Sequence, residues 1–348
     1  MLQAIFHAWE RHLASVTTDR VVRPFDWGLD WLPTGGAEPE SAAPARAIGD
    51  WVSDVMADTD THYTPAPTTD YTLGPPADDG EQLLTFPSAF VTPHAENNTV
   101  YVRVFRPKRP PAVKAAVLVL PQWNSDAGGH IGLSKLLAMR GMTAARLSLP
   151  YHDRRMPPEL HRADYIVSAN VTRTVQVCRQ AVLDARRAIA WLHAQGYERI
   201  GILGSSLGSC LSLLTTAHEP LIQAAALNHV SPYFADVVWR GISTAHVREG
   251  LDGHVELDLL RDLWKPINPS EYLKRLVDRK ILLVYAKYDL TFPVDLSREL
   301  VRQFKTANIP HDLSILHCGH YTSGKAPFKF IDGFVLSRFL RRTLIDEA

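Results

Sequence analysis

The chain has 348 residues, with 37 basic and 37 acidic side chains, 46% hydrophobic and 21% charged residues, and an isoelectric point near 7.3. Balanced charge leaves no long-range field for phosphates, and with no basic run longer than short Arg pairs, no nucleic-acid partner is expected. The length suits one large α/β domain with insertions or two smaller domains.

Three scattered cysteines, Cys178, Cys210 and Cys318, are too few for a disulfide framework or a four-ligand zinc site. Glu10 and Arg11 interrupt the apolar core that a signal peptide would need, and no run of about 18 apolar residues offers a membrane span. A soluble, cytoplasmic protein without an integral membrane segment is expected.

Along the chain, Leu2, Ile5, Phe6, Trp9 and Leu13 recur at helical spacing. Such a helix needs a surface to lie on; the main core is the expected one, a membrane surface or a partner the alternative. Pro33 to Arg46 is rich in Pro, Gly, Ala and Glu, and Thr59 to Gly80 is poor in aliphatic residues. Neither stretch can bury much surface, so residues 1–82 read as an N-terminal extension of amphipathic helix and linker.

Beyond Leu83 the texture becomes β-rich: Val100, Val102 and Val104 alternate, and the run Ala115 to Leu120 lies between Pro110-Pro111 and Pro121. A helical segment from Ile131 to Arg140 ends at Gly141 and leads into a second run, Ala144 to Leu149, which is a strand–helix–strand signature. The clearest helix carries Val171, Val175, Cys178, Val182, Ala185, Ile189 and Leu192 at alternating spacings of four and three, with Gly196 placed to cap it. Arg199 to Leu203, Ile222 to Leu227, Ile281 to Ala286 and Leu313 to Leu316 read as further buried parallel strands. Helices are expected from about Leu207 to Thr216, at Val294 to Lys305 and at Phe328 to Leu340. Between Ser231 and Leu276 the strand signal vanishes, which predicts a helical insertion at about 231–276.

Gly204-Ser205-Ser206-Leu207-Gly208 fits the G-x-S-x-G nucleophile elbow, whose glycines permit a strained strand-to-helix turn that exposes the serine hydroxyl. Such a pentapeptide arises by chance in about 6% of chains this long, so the apolar strand before it and the apolar helix after it supply the specificity. A serine hydroxyl needs a base, and the base needs a partner that fixes its tautomer. Asp289 follows the Ile281 to Ala286 strand, His320 lies in the loop after the last strand, and the order Ser206, Asp289, His320 is the one this elbow is known for. Asp295 lies inside a helix and reads as a solvated face, and His311 and His317 begin and end a strand and read as core or edge histidines.

Acyl transfer also needs donors for the developing oxyanion. The N–H of Leu207 is one; the other belongs to Gln122 or Trp123, in the loop Pro121-Gln122-Trp123-Asn124-Ser125-Asp126. Within the insertion, Arg240, His246 and Arg248 are candidate substrate contacts, with solvated or salt-bridged surface as the competing reading for the arginines and for Arg154 and Arg155. Gly128-Gly129 is not followed by the Gly-Lys-Ser/Thr of a phosphate loop. His317, Cys318 and His320 are too crowded for a metal site, and no metal is expected.

The elbow, the acid after a late strand, the terminal histidine and the strand order together resemble the α/β-hydrolase superfamily of serine esterases, over about residues 85 to 345. Leu149-Pro150-Tyr151-His152-Asp153-Arg154-Arg155-Met156-Pro157 before a long helix, with Gly196-Tyr197 ahead of the elbow strand, is similar to the abhydrolase domain-containing 18 group. The superfamily's usual His-Gly dipeptide at the oxyanion loop is replaced by Pro121-Gln122. The resemblance implies an α/β-hydrolase fold over residues 83–348, with a mainly parallel central sheet, helices on both faces and the insertion as a helical cap. It implies a serine hydrolase acting on a small acyl ester without a cofactor. Acyl transfer or peptide cleavage on the same three residues, and a catalytically silent binding scaffold, are the alternatives.

Overall fold

Strands whose every position is apolar form the middle of a sheet covered on both faces, because neither side of such a strand tolerates water. Ala115–Leu120 is apolar and buried at all six positions; its neighbour Thr143–Leu147 is buried at all five although it carries Thr143 and Arg146. The computed structural model describes residues 2–33, 43–109 and 111–347. Residues 34–42 of the Pro33 to Arg46 linker, and Pro110, lie outside these.

A single nine-stranded sheet has the order β1-β2-β3-β5-β4-β6-β7-β8-β9, where β1 is Thr72–Leu73, β2 Gln82–Pro87, β3 Thr99–Phe105, β4 Ala115–Leu120, β5 Thr143–Leu147, β6 Arg199–Ser205, β7 Ile222–Asn228, β8 Lys280–Ala286 and β9 His311–Leu316. The first three strands pair antiparallel, with β3 antiparallel to β5. From β5 to β9 every pairing is parallel. This is the α/β-hydrolase arrangement expected from the sequence, mainly parallel with helices on both faces.

The two faces follow from the two-residue period of a strand. Ala116, Leu118 and Leu120 join the larger core with the helices Val171–Ala194 and Leu207–His218. Ala115, Val117 and Val119 pack on the other side with Leu137 of the helix Ile131–Met139 and Leu336, Phe339 and Leu340 of the helix Phe328–Arg341. Gly196, at φ +80°, ends the helix Val171–Ala194. Its N–H bonds to His193 O at 2.9 Å and that of Tyr197 to Leu192 O at 3.3 Å, which together satisfy two terminal carbonyls.

The N-terminal residues depart from the expectation of a segment with little buried surface. Trp31, Ile48, Val52 and Tyr63 are all in the main core. Tyr63 Oη donates to Pro266 O at 2.6 Å, and Gln176 Nε2 donates to Trp31 O at 2.9 Å. The sheet itself begins at Thr72, inside the stretch that reads as linker. Residues 231–276 carry the helices Phe234–Arg240, Ala245–Leu251 and Leu257–Leu263, followed by 3-10 turns. Among the described residues no helix is long and apolar enough to cross a membrane.

Candidate active site

The carboxyl ends of parallel strands are where an open α/β sheet gathers loops from distant parts of a chain. Here β4, β6, β7, β8 and β9 are consecutive neighbours, so the segments after Leu120, Ser205, Asn228, Ala286 and Leu316 meet. Between β6 and its helix, Ser206 takes φ 55° and ψ −121°, and Leu207 starts the helix. That turn depends on both flanking glycines. A Cβ on Gly204 would lie 2.2 Å from Gly208 O, and one on Gly208 would lie 2.2 Å from Leu120 O and 2.4 Å from Pro121 O.

The three residues expected to cooperate are brought together. Ser206 Oγ lies 3.1 Å from His320 Nε2, and His320 Nδ1 lies 2.9 Å from Asp289 Oδ2. The other Asp289 oxygen accepts the N–H groups of Thr291 at 2.8 Å and Phe292 at 2.7 Å. Burial alone would raise the Asp289 pKa, but the charge and hydrogen bond of His320, with the His229 ring close by, outweigh it and hold the carboxyl well below the usual carboxylate range. Burial would lower the His320 pKa, and the Asp289 charge and hydrogen bond reverse this, so His320 is raised above its ordinary value. A carboxylate facing Nδ1 places the ring proton there, which leaves the Nε2 lone pair facing Ser206. Phe292 stacks on the His320 ring, with centroids 5.4 Å apart.

The loop after β4 is held from several sides. His152 donates through Nδ1 to Pro150 O at 2.9 Å and accepts the Asn124 N–H at Nε2, also at 2.9 Å. Trp123 Nε1 donates to Ala163 O at 2.8 Å. The fully buried Arg146 donates to Asp126 O at 2.7 Å and Gly129 O at 3.2 Å, with Asp153 as its counter-charge. This leaves Gln122, Trp123 and Leu207 in the wall of a cavity of about 890 Å³ that also contains Ser206 and His320. Leu207, as the first helical residue, has an N–H with no partner inside its own helix.

Other sequence candidates fall elsewhere. Arg240 pairs with Asp295 at 2.9 Å and Arg248 approaches Asp252 at 3.6 Å, all four side chains being substantially exposed; neither arginine lines the cavity, so the substrate-contact expectation gives way to the surface ion-pair reading. His246 is buried with its ring stacked 5.7 Å from Trp123, where it backs the oxyanion-side loop rather than facing the cavity. Arg155 is a wholly buried partner of Asp184 at 2.8 Å. His311 bonds Ile309 O, His317 is exposed and Cys318 is buried.

Several cavity residues escape sequence reasoning. Arg20, Arg162, His130, Asn228, His229 and Asp332 all reach the wall. His130 Nε2 is 2.9 Å from Ser205 Oγ, and burial together with Arg146 pushes its pKa down to about 4. Asn228 ends the buried strand Ile222–Asn228 and His229 follows it, and the rule that selects Asp289 would have found them. His229 Nδ1 is 3.2 Å from Asp289 Oδ2 but out of line for a hydrogen bond. His229, Asp289 and His320 place nitrogen and oxygen atoms within 4.8 Å of one another, but Asp289 Oδ2 and His320 Nδ1 are already spent on each other.

No protein-family model matches the chain, and no curated protein matches it. Solved structures do. The acetyl xylan esterase from Paenibacillus sp. R4 aligns over 90% of this chain and 98% of its own at 15% identity and a TM-score of 0.61. The Pyrococcus horikoshii acylaminoacyl peptidase aligns over 79% of this chain at 15% identity and a TM-score of 0.59, and this chain spans only 42% of its length. A lipase in an open form aligns over 76% of this chain and 99% of its own at 11% identity and a TM-score of 0.56. At such identities the likeness is one of fold.

Proposed function

We propose that this chain, an α/β-hydrolase by fold, is a serine hydrolase that cleaves a carboxylic ester through an acyl-enzyme. The observation that carries the reading is the unbroken line from Ser206 Oγ through the His320 ring to Asp289, with contacts of 3.1 and 2.9 Å. Esterase, lipase and peptidase are the names of the aligned structures, which supports the same class of chemistry.

In this mechanism Ser206 Oγ attacks the ester carbonyl as its proton passes to His320 Nε2. Asp289 keeps the ring in the productive tautomer and stabilises the imidazolium. The carbonyl oxygen, now an oxyanion, meets the N–H of Leu207 and a second donor from Gln122 or Trp123, at the positive end of the helix Leu207–His218. Collapse of the tetrahedral intermediate breaks the bond to the alcohol, which leaves with the His320 proton. Water then gives a proton to Nε2 and attacks the acyl carbon, and its collapse returns the proton to Ser206 and releases the acid. No step calls for a cofactor.

The test is labelling by a fluorophosphonate, which reacts only with an activated serine, in the native chain and in Ser206→Ala and His320→Ala, followed by a panel of short- and long-chain esters. Labelling of the native chain alone is expected. A folded native chain that stays unlabelled across about pH 6 to 9, where a histidine base is competent, while a small sulfonyl fluoride also fails to react, would overturn the proposal in favour of a silent scaffold.

A further inference from the structure

The cavity holds a second polar group of residues beside the nucleophile. The Ser206 N–H donates to Asn228 O at 2.8 Å. The Asn228 side chain, 4% exposed, donates through Nδ2 to Asp332 Oδ2 at 2.8 Å. This leaves Asn228 Oδ1 and Asp332 Oδ1 without a donor, and both ring nitrogens of His229, 3% exposed, without a hydrogen bond among the described residues. All three residues line the cavity that contains Ser206 and His320. His229 Nδ1 faces Asp289 Oδ2 at 3.2 Å, so Asn228 Oδ1, Asp332 Oδ1 and His229 Nε2 are the atoms left for a ligand. Buried polar atoms in native proteins are nearly always paired, so three unpaired ones among residues of one cavity wall mark the place of a polar group brought by a ligand.

The chemistry of the open atoms narrows that group. Asn228 Oδ1 can only accept, an imidazole Nε2 accepts or donates with its tautomer, and Asp332 Oδ1, whose pKa burial raises, accepts as a carboxylate and donates as the acid. A hydroxyl complements this set because it too gives one hydrogen bond and takes others. An alkyl chain would leave all three atoms open, and a carboxylate or phosphate would face the acceptor of Asn228. An ammonium group has donors only, so it cannot accept from His229 or from Asp332 in its acid form. We propose that Asn228, His229 and Asp332 form a hydroxyl-recognition subsite, and that the substrate is an ester with free hydroxyls close to the scissile bond, as in a partly acylated polyol. The inference rests on the serine-hydrolase reading and specifies its substrate class.

Glycerol monobutyrate and 2-methylbutyl butyrate test it, because the second replaces each hydroxyl of the first with a methyl group. In the native enzyme kcat/KM for the glycerol ester exceeds that for the alkyl ester by about tenfold or more, since a site built to bond a hydroxyl rejects an analogue that lacks it. In Asp332→Leu the ratio falls toward one. The ratio is read within one preparation and normalised to fluorophosphonate-labelled serine, so loss of overall activity cancels; Asn228→Leu serves if Asp332→Leu does not fold. A labelled native enzyme that shows no hydroxyl preference, or fails to cleave the glycerol ester, overturns the subsite alone, as does a variant that keeps the native ratio. An unlabelled native enzyme overturns the hydrolase reading beneath it.

Discussion

The carboxylate of Glu10 accepts the N–H of Tyr321 at 2.9 Å, tying the helix Leu2–Ser15 to the backbone that carries His320. Its other oxygen accepts the N–H of Thr322 at 2.9 Å, and Glu10 is fully buried. Gly319 leaves the space for it, since a Cβ there would lie 2.3 Å from the Glu10 side chain. Arg20 donates to Tyr321 Oη at 2.7 Å, and that hydroxyl contacts Ser243 Oγ, which contacts Thr291 Oγ1, each at 2.7 Å. Thr291 is the residue whose N–H bonds Asp289. The N-terminal segment therefore grips the backbone of both the base and its acid.

Removing the Glu10 carboxylate orphans two amides, each worth about 1–3 kcal/mol when buried. Glu10→Ala is expected to lose on the order of 2–4 kcal/mol of stability. Glu10→Gln, which keeps the shape but loses the charge, is expected to lower kcat about tenfold or more with little change in KM, because the base and not the binding surface is displaced. Its acid limb moves to lower pH, since Glu10 is among the charges that raise His320. Steady-state kinetics and thermal unfolding on the same preparations check both effects; a Glu10→Gln enzyme with native kcat and native pH profile would sink the positioning argument.

The elbow makes a sharper prediction. A methyl on Gly208 would strike the backbone oxygens of Leu120 and Pro121, the start of the oxyanion-side loop, so it cannot be absorbed by turning a side chain. Gly208→Ala is expected to cost about 3 kcal/mol or more and to lower fluorophosphonate labelling at least 100-fold, as overpacking against backbone forces the loop away. Gly49, inside the helix Pro44–Ala57 with nothing within 4 Å of an added Cβ, is the matched control. There alanine is expected to stabilise by about 0.5–1 kcal/mol. Denaturant unfolding of the two variants separates a steric effect from a general intolerance of alanine.

What the sequence discloses tracks the range of the forces involved. β4, β6 and β8 are legible because burial on both faces writes an unbroken apolar run, and Ser206 because the strained turn demands Gly204 and Gly208 within five residues. Asp289 and His320 are legible from their place after strands that must lie side by side. Glu10 is not, because its partners are 311 and 312 residues away and its own neighbourhood shows only a charge in an apolar stripe. Arg240 carries no local sign that Asp295, 55 residues on, neutralises it at the surface. Ile48, Val52 and Val55 do recur at the helical spacings of four and three, beside a Pro- and Gly-rich stretch that masks them, whereas Trp31 and Tyr63 stand alone and their entry into the core is decided by packing.

Two pH dependences should separate cleanly. Activity needs His320 neutral, and because Asp289 raises its pKa above the ordinary 6.5 in spite of burial, the acid limb of kcat/KM is expected to inflect above pH 6.5 and fall about tenfold per unit below it. In Asp289→Asn the residual activity is expected to show this limb at lower pH. Stability behaves differently. His130, His152, His218 and His246 are held down to about 4, chiefly by burial, so between pH 6.5 and 4 the unfolded chain binds protons that the folded chain refuses. Stability then falls as pH drops, by about 1.4 kcal/mol per unit for each such histidine, and is unaffected by them above 6.5. His320 has the opposite sign: its raised pKa contributes stability below 6.5 that is lost as pH rises through the folded value. Activity should therefore decline while circular dichroism still reports a folded chain, and an acid limb that coincides with unfolding would refute the assignment of that limb to His320.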